Sequence, residues 1–330
     1  MNEAAVKPQA GNLTRSWWSW GSFNNIGALY VWALIIAIFW FLEPDTFGTT
    51  DTVTDVLNQS AVTGLVALAL VVPMAVGCFD LSIGATLGVT SVLTAKLLAE
   101  TSASPTTAVI VALLVGLAIG LVNAVVVVVF KIDPFIGTLA TSSLLAALSL
   151  FISGNRTIAS ERLIGSFTEI ARYKILGVTA PVWYMLVVAV ILWYLLEHTA
   201  TGRHIYAIGF SLETARLSGI NTQRIRFMSL VLSAFVSGLA GVVLTARITV
   251  GSPTIGPPFL LPAFAAVFVG ATQLRGGRFN VWGTLIAVYL IGTGNTGLSL
   301  AGAPLWAPQV FVGITLIVAI ALTGVKRSVK

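Results

Sequence analysis

The chain has 330 residues, of which 57% are hydrophobic and only 9% are charged, and its net charge is +6. Because a soluble domain carries about a quarter charged residues, this composition excludes an ordinary soluble globule and predicts that most of the chain lies in lipid. The single cysteine, Cys78, and the two histidines exclude an internal disulfide and a cysteine- or histidine-rich metal site, so we expect no metal ion. We attribute the positive charge to the orientation of loops at a membrane, and we expect no nucleic-acid partner.

Ten segments have the length and hydropathy of a membrane-spanning helix, for which about 20 mostly apolar residues are needed. The sequence therefore predicts an all-α, polytopic membrane helix bundle with about ten transmembrane helices. The predicted helices cover residues 26–42, 60–78, 82–99, 107–130, 135–152, 181–197, 227–247, 258–273, 280–299 and 306–325.

Two regions are predicted to be broken or re-entrant. Between the second and third helices, Asp80 interrupts apolar sequence with almost no loop, and Pro73 kinks the helix before it. The first break is therefore expected near 73–85. The stretch SPTIGPPF contains three prolines and cannot form a regular helix, so a second break is expected near 252–262.

Basic residues predict which loops face the cytoplasm, since Lys and Arg are enriched on that side of a membrane. The loop 199–226 carries four arginines against one acidic residue, and further bases lie near both ends of the chain. Ten crossings place this loop and both termini in the cytoplasm of a bacterial cell. The expected organisation is a cytoplasmic tail at 1–25, a transmembrane domain at 26–325 and a second cytoplasmic tail at 326–330.

Two loops are expected to face the outside. The loop 43–55 carries acidic residues and no base, whereas the loop 153–180 carries several bases and runs against the charge rule. Within the second loop, residues 160–175 space their apolar side chains as an amphipathic helix would, and we expect that helix to lie flat on the outer surface. Candidates for an outer gate or for docking an external partner are Asp45, Asp51, Arg156, Arg162 and Arg247.

Asp80 is a carboxylate within apolar sequence, where a charge needs partners or water. One interpretation is structural: Asp80 caps the third helix by accepting N–H bonds at its start. The other is a polar break in a helix that lines a substrate path, and the two are compatible, since discontinuous helices occur at transport sites. Amides elsewhere on these helices more often bond across helices than bind ligand. Candidates for the translocation path are Phe79, Asp80, Ser82, Asn123 and Asn295.

A short helix is predicted inside the loop 199–226, with Ser211 as its N-cap and Gly219 as its terminator. At the cytoplasmic face such a helix presents a rigid knob to a partner that docks beneath the membrane. The alternative is a solvated loop selected only for its positive charge. The predicted helix and its flank comprise Ser211, Leu212, Glu213, Thr214, Ala215, Arg216, Leu217, Ser218, Gly219, Ile220 and Asn221.

No catalytic set is visible in the sequence. The phosphate-binding pattern GxxxxGK[ST], the nucleophile pattern GxSxG and the metal patterns HExxH and CxxC are all absent. Intramembrane carboxylates are also too few for a convincing proton relay. We therefore expect a protein that is not an enzyme.

Four stretches resemble the permease subunits of sugar-importing ABC transporters of the ribose, xylose, arabinose and galactose class. GCFDLSIGA at 77–85 is similar to the signature G-x-D-L-S-V-G of that family, and 198–221 resembles its cytoplasmic loop with the motif E-A-A-R-L-S-G-I-N. PFIGTLAT at 134–141 and AAVFVGATQLRGGRFNVWGTLIA at 265–287 match two more stretches. The likeness extends from about Phe47 to Val325, in the family's order and spacing.

The resemblance implies a membrane subunit that works as one of a pair, with two ATPase subunits beneath it and a soluble sugar-binding protein outside. ATP and Mg would bind to the ATPase subunits, so this chain would hold no cofactor. Glu213 to Asn221 would form the coupling helix that fits a cleft in the ATPase, and Asp80 to Gly84 would lie near the translocation path. Phe79 and Thr214 depart from the family pattern, which has a smaller residue or valine at the first position and alanine at the second.

The predicted function is thus the permease subunit of an importer for a pentose, hexose or polyol. A secondary transporter driven by an ion gradient through Asp80 is the alternative, and a lipid-facing membrane enzyme is a weaker one because no nucleophile or metal set is found. No residue identifies the sugar, and the sequence leaves the pairing of identical or different chains open.

Overall fold

The computed structural model describes residues 23–273 and 277–328, with side chains from 27–273 and 277–321. Most of the predicted N-terminal tail and the last two residues of the C-terminal tail lie outside the described residues. Thirteen α-helices are present in the part that is described, and two pairs of two-residue strands accompany them. The helices are α1 (Phe23–Leu42), α2 (Thr50–Ala75), α3 (Ile83–Glu100), α4 (Pro105–Ala124), α5 (Pro134–Ser153), α6 (Ser166–Arg172), α7 (Ala180–His198), α8 (Ala200–Phe210), α9 (Leu212–Leu217), α10 (Thr222–Ile248), α11 (Leu260–Ala271), α12 (Val281–Leu300) and α13 (Ala307–Ser328); the strands are β1 (Ile158–Ala159), β2 (Lys174–Ile175), β3 (Val178–Thr179) and β4 (Val250–Gly251).

Each of the ten predicted spanning segments overlaps a helix, so the all-α polytopic membrane fold is confirmed. Within the described residues, six helices are long and apolar enough to cross a membrane: α2, α3, α4 with its π-helical extension, α5, α7 and α10. The helices α2, α3 and α10 are mostly buried inside the bundle, whereas α4, α5 and α7 leave more of their surface exposed.

The helix α2 begins at Thr50, ten residues earlier than the sequence predicts, so Asp51 lies on a helix and not in a loop. The physical reason lies in the cap: the Thr49 side chain accepts a hydrogen bond from the Thr52 N–H, and Asp51 stands in the first turn. A carboxylate in the first turn is favoured by the helix dipole. These polar residues therefore extend the helix beyond the apolar stretch that the hydropathy pattern detects.

The first predicted break is confirmed. After α2 ends at Ala75, the chain turns at Gly77, whose φ is +74°, and residues 78–80 form no regular secondary structure. The chain then runs back along α10: the Arg226 Nε donates to the Cys78 Sγ, and the Ser233 Oγ donates to Asp80. The segment between α2 and α3 is thus re-entrant.

The helices α3 and α10 run parallel. The Ser237 hydroxyl donates to the Ile83 carbonyl, and the Thr245 hydroxyl donates to the Ser91 Oγ at 2.7 Å. Both pairs are separated by 154 residues in sequence. A constant separation over more than two turns means that the two helices run in the same direction. Small side chains at these positions let the helix backbones approach closely.

The second predicted break is confirmed as well. Strand β4 pairs with β1, a turn follows, and a 3-10 turn at Pro257–Phe259 leads into α11. Between β4 and α11 the chain runs antiparallel to α3, because Gly251 lies beside Ala95 whereas Gly256 lies beside Gly84. The contact is backbone to backbone, since a Cβ at residue 256 would lie 2.1 Å from the Gly84 carbonyl oxygen.

The predicted amphipathic helix in the loop between α5 and α7 is present as α6, preceded by a 3-10 turn. Leu163 and Phe167 are fully buried, and Ile170 packs at the edge of the same apolar cluster. This cluster includes Val92 and Ala108, so the loop lies on one end of α3 and α4. The apolar spacing therefore predicts the buried side of this segment, whereas the regular helix is shorter than 160–175 and its position on the outer surface stays a prediction.

The bundle has two ends. The α9 end carries α8, α9 and the turn from α4 to α5, where Tyr206 on α8 donates to the Phe279 carbonyl. The opposite end carries α6 and the paired strands β1 and β4, where the Arg162 guanidinium donates to the Thr101 carbonyl.

Replacing Gly256 by alanine is expected to destabilise the protein by about 1–3 kcal/mol, because the new methyl group meets backbone that has no side chain to move aside. Thermal unfolding of the detergent-purified protein measures the effect. Gly313→Ala on α13 is the matched control, since nothing lies within 4 Å of the added Cβ. Equal midpoints for the two variants would contradict the close approach of residues 84 and 256.

Candidate functional site

The carboxylate of Asp80 is fully buried in the re-entrant segment between α2 and α3. Its Oδ1 accepts hydrogen bonds from the Ser82 N–H at 3.0 Å and from the Ser82 hydroxyl at 2.7 Å. Its Oδ2 accepts a hydrogen bond from the Ser233 hydroxyl on α10 at 2.8 Å. Three donors thus stabilise an acid that is out of contact with water.

A second layer of hydrogen bonds surrounds this carboxylate. The Asn123 amide on α4 donates to the Ser82 hydroxyl at 2.7 Å, so Ser82 both donates to Asp80 and accepts from α4. On α5, the Thr138 hydroxyl accepts from the Leu81 N–H at 3.0 Å and lies 3.2 Å from the Phe79 carbonyl. We call Asp80, Ser82, Asn123 and Ser233 the Asp80 network; it joins the start of α3 to α4 and α10.

Two buried oxygens at this network have no hydrogen-bond partner among the described residues: the Asn123 Oδ1 and the Thr86 Oγ1. Within the same described part of the chain, no basic side chain forms an ion pair with Asp80. The network therefore consists of one acid, hydroxyls and an amide. Asp80 is its one titratable group and can hold a proton or accept hydrogen bonds.

The cap interpretation of Asp80 is correct in part. The residue at the N-cap position of α3 is Ser82, and its side chain makes no capping bond to the helix. Asp80 instead bonds the N–H of Ser82 itself, so it closes a turn directly before the helix.

The five path candidates do not form one group. Asp80, Ser82 and Asn123 belong to the Asp80 network, and Phe79 adjoins it with 38% of its side chain exposed. Asn295 lies on α12, a helix that packs against α11, α2 and α1, and it makes no hydrogen bond to the network among the described residues. Their role in a translocation path stays a prediction.

The predicted knob in the loop 199–226 is the helix α9. The Ser211 hydroxyl accepts a hydrogen bond from the Thr214 N–H, and Gly219 has a φ of +80°, so both predicted boundary residues act as the sequence indicates. The regular helix is six residues long and ends one residue before Gly219's neighbour Ser218, whose backbone is no longer helical. Only Ala215 is buried, and the other helical residues are exposed.

The five outer candidates all lie at the end opposite α9. Arg156 is 3.5 Å from the Glu100 carboxylate, and the Arg162 guanidinium is 2.9 Å from the Thr101 carbonyl. Arg247 is half-buried near the end of α10, with its guanidinium 3.4 Å from the Gln59 carbonyl. Asp45 and Asp51 are exposed around the start of α2. Their grouping at one end agrees with a shared surface, and their docking role stays a prediction.

Two members of the buried site were missed by the sequence reasoning. Ser233 and Thr138 each bond the re-entrant segment, yet each is a small hydroxyl residue among apolar neighbours on its own helix. In the sequence, only their position on a mostly apolar helix sets them apart, and many other serines and threonines of this chain have such a position. Ser233 becomes part of the site only because α10 packs beside α3 and the residues before it, which the folded structure shows.

The fold is that of a polytopic membrane protein. Residues 52–320 match the family model described as branched-chain amino acid transport system / permease component, and the chain belongs to this family. No solved structure matches the chain.

Curated relatives extend over nearly the whole chain. The chain is 36% identical over 308 residues to the ribose import permease protein of Bacillus subtilis, and the match covers 93% of this chain and 95% of the relative. It is 33% identical over 289 residues to the ribose import permease protein of Haemophilus influenzae, covering 87% and 89%. It is 33% identical over 300 residues to the D-allose transport system permease protein of Escherichia coli, covering 91% of each. The resemblance to sugar-importer permeases is thereby confirmed.

Replacing Asp80 by alanine is expected to destabilise the protein more than replacing it by asparagine. Alanine leaves the Ser82 N–H and the Ser82 and Ser233 hydroxyls without their acceptor, at about 1–3 kcal/mol for each buried group that stays unsatisfied. Asparagine retains one acceptor oxygen and the side-chain shape. Thermal unfolding of the three purified proteins measures the order, and an alanine variant as stable as the wild type would contradict the network.

Proposed function

We propose that the chain is the membrane-spanning permease subunit of an ABC importer and forms the pathway for a sugar: a pentose, a hexose or a polyol. A binding protein outside the cell delivers the sugar, and separate ATPase subunits supply the energy. ATP and Mg bind to those subunits, and the permease itself catalyses no reaction. The observation that carries this proposal is the exposed helix α9 in a chain whose relatives, matched over nearly their full length, are named as sugar permeases.

The relatives support the class of cargo. The names in the group include ribose, D-allose and fructose, all of which are small polyhydroxylated sugars, together with autoinducer 2. A shared permease body with several cargoes suits a system in which the binding protein makes most of the selection. We therefore assign the sugar class and no individual sugar.

The shape of α9 supports a coupling role. Only one residue of α9 is buried, so packing adds little to its stability. An isolated helix of six residues is also unstable in water. Ser211 caps its start, and at its end the Gly219 N–H bonds the Arg216 carbonyl and the Ile220 N–H bonds the Ala215 carbonyl. Such a preorganised knob suits insertion into a cleft on an ATPase, which would push α9 when it closes on ATP.

The orientation follows from the same proposal. The α9 end faces the cytoplasm, both termini lie inside, and α6 with the acidic start of α2 faces outward in the bacterial inner membrane. The exposed Asp45 and Asp51 then meet the binding protein, on which we expect a basic patch. A second copy of the chain completes the pathway as a homodimer.

The ion-driven alternative finds less support. A coupling site must exchange its ion with water, but Asp80 is fully buried and all three of its hydrogen bonds come from Ser82 and Ser233. A hydrogen-bonded carboxylate of this kind serves well to hold two helices together. Asp80 therefore fits a structural position next to the pathway better than an ion-coupling site.

Replacing Arg216 by glutamate is expected to lower sugar uptake by at least about tenfold, because charge reversal in the middle of a docked knob disrupts the interface. Uptake of a radiolabelled sugar, chosen by screening sugars for stabilisation of the purified binding protein, measures this in cells that express the permease with its ATPase and binding protein. Arg216→Lys is the control and should retain most uptake. Normal uptake by Arg216→Glu, or accumulation without the ATPase that an uncoupler abolishes, would overturn the proposal.

Single cysteines test the orientation. In a Cys78→Ser background, Ser218→Cys on the α9 side and Asp45→Cys at the opposite end are both exposed in the monomer. A membrane-impermeant maleimide added to spheroplasts should label position 45 and should reach position 218 only after the membrane is opened. The reverse pattern would place α9 outside and remove its coupling role.

A further inference from the structure

A cavity of about 490 Å³ opens beside α9 at the α9 end of the bundle. One wall is α9, another is the turn from α4 to α5, and the third is the first turn of α10. We call it the basic pocket, and its most polar lining residues are Lys131, Asp133, Arg216, Asn221, Gln223 and Arg226.

The pocket carries three cationic side chains and one carboxylate. The carboxylate, Asp133, is engaged, because its Oδ1 accepts the N–H groups of Phe135 and Ile136 and so caps α5. In the described part of the chain, none of Lys131, Arg216 and Arg226 forms an ion pair. The Arg226 Nε donates to the Cys78 Sγ, which orients the guanidinium without neutralising it. The pocket is therefore complementary to an anion.

The turn that bears Lys131 has a defined backbone. The helix α4 continues into a π-helical turn at Val125–Val129, and Lys131 then adopts a φ of +58°. The Phe130 N–H bonds the Val125 carbonyl and the Ile132 N–H bonds the Val126 carbonyl. A non-glycine residue in the left-handed region is uncommon, and here it holds a cation at the rim of the pocket.

Three exposed apolar residues, which lie on or next to the chain segments that wall the pocket, point to a protein as its occupant. Phe210 is 93% exposed, Leu217 is 84% exposed, and Phe130 is also exposed. Leu212 and Arg216, one helical turn apart on α9, both line the pocket. A cleft that receives α9 must therefore cover the pocket as well, and it would bury these apolar groups. A lipid headgroup would satisfy the charges but would leave Phe210 and Leu217 in water.

We propose that the basic pocket receives an acidic side chain of the ATPase subunit, which makes the turn from α4 to α5 a second element of the interface beside α9. This inference rests on the proposed function, since it presupposes an ATPase at the α9 end. It adds a contact outside the loop 199–226 and a chemical identity for the partner residue. A carboxylate held between Lys131, Arg216 and Arg226 would link α4, α9 and α10 through a single group.

Carbodiimide cross-linking tests the contact, because it joins a lysine amine to a carboxylate only when the two are in salt-bridge contact. The complex of the full-length permease with its ATPase, purified in detergent, is treated and its peptides are sequenced by mass spectrometry. We expect a cross-link from Lys131 to an Asp or Glu of the ATPase. Lys174, exposed on β2 at the opposite end, is the matched control and should give none with that subunit.

Two variants complete the experiment. Lys131→Arg should lose the cross-link but keep the ATPase bound, because the charge remains. Lys131→Glu should reduce the ATPase recovered with the permease by about tenfold, whereas Lys174→Glu should leave recovery unchanged.

Each contrary outcome has a distinct meaning. If Lys131→Glu binds the ATPase normally while Arg216→Glu does not, the pocket proposal is wrong and the proposed function stands. If Lys131→Glu instead loses only a bound anionic phospholipid, as seen by native mass spectrometry, the occupant is a lipid and the proposal is overturned. If the wild-type chain binds no ATPase, the proposed function fails together with the inference.

Discussion

The path of the chain between α2 and α3 depends on one buried carboxylate. Removing a charged group from water is costly, and the cost is offset only where donors replace the lost hydration. Asp80 obtains those donors from its own turn and from α10. Because one donor lies on a distant helix, the re-entrant turn and the parallel packing of α3 on α10 require each other. The Asn123 and Thr138 bonds then add α4 and α5 to the same assembly.

The same helix that supplies Ser233 also leads away from α9. Asn221 follows α9 and caps α10, Arg226 bonds Cys78, and Ser233 bonds Asp80 seven residues later. A displacement of the start of α10 would therefore move the re-entrant segment at two residues, Cys78 and Asp80. The knob is joined through Asn221 to α10, and α10 connects the proposed site of ATPase action with the buried network in the interior of the bundle.

Hydropathy alone predicted the ten helices, and the prolines of SPTIGPPF and the charge of Asp80 predicted both breaks, since each signal is local. The early start of α2 was missed because Thr49 and Asp51 favour a helix through capping and not through hydropathy. Ser233 and the basic pocket were missed for another reason: Ser233 bonds an acid 153 positions earlier in the chain, and the pocket joins residues 127–134 to residues 212–226. Such contacts depend on which helices are neighbours. The periodicity of one helix shows which of its sides is apolar, but it does not show which helix packs there.

The contact of Gly84 with Gly256 has a mechanical consequence. Where side chains separate two segments, a change of rotamer absorbs small relative shifts. Here backbone contacts backbone in a closely packed interior, so no side chain can absorb a relative shift by changing its rotamer. An inward push on the segment that follows β4 is transmitted directly to the first turn of α3, four residues from Asp80. The glycine pair thus couples the end of the bundle opposite α9 tightly to the Asp80 network.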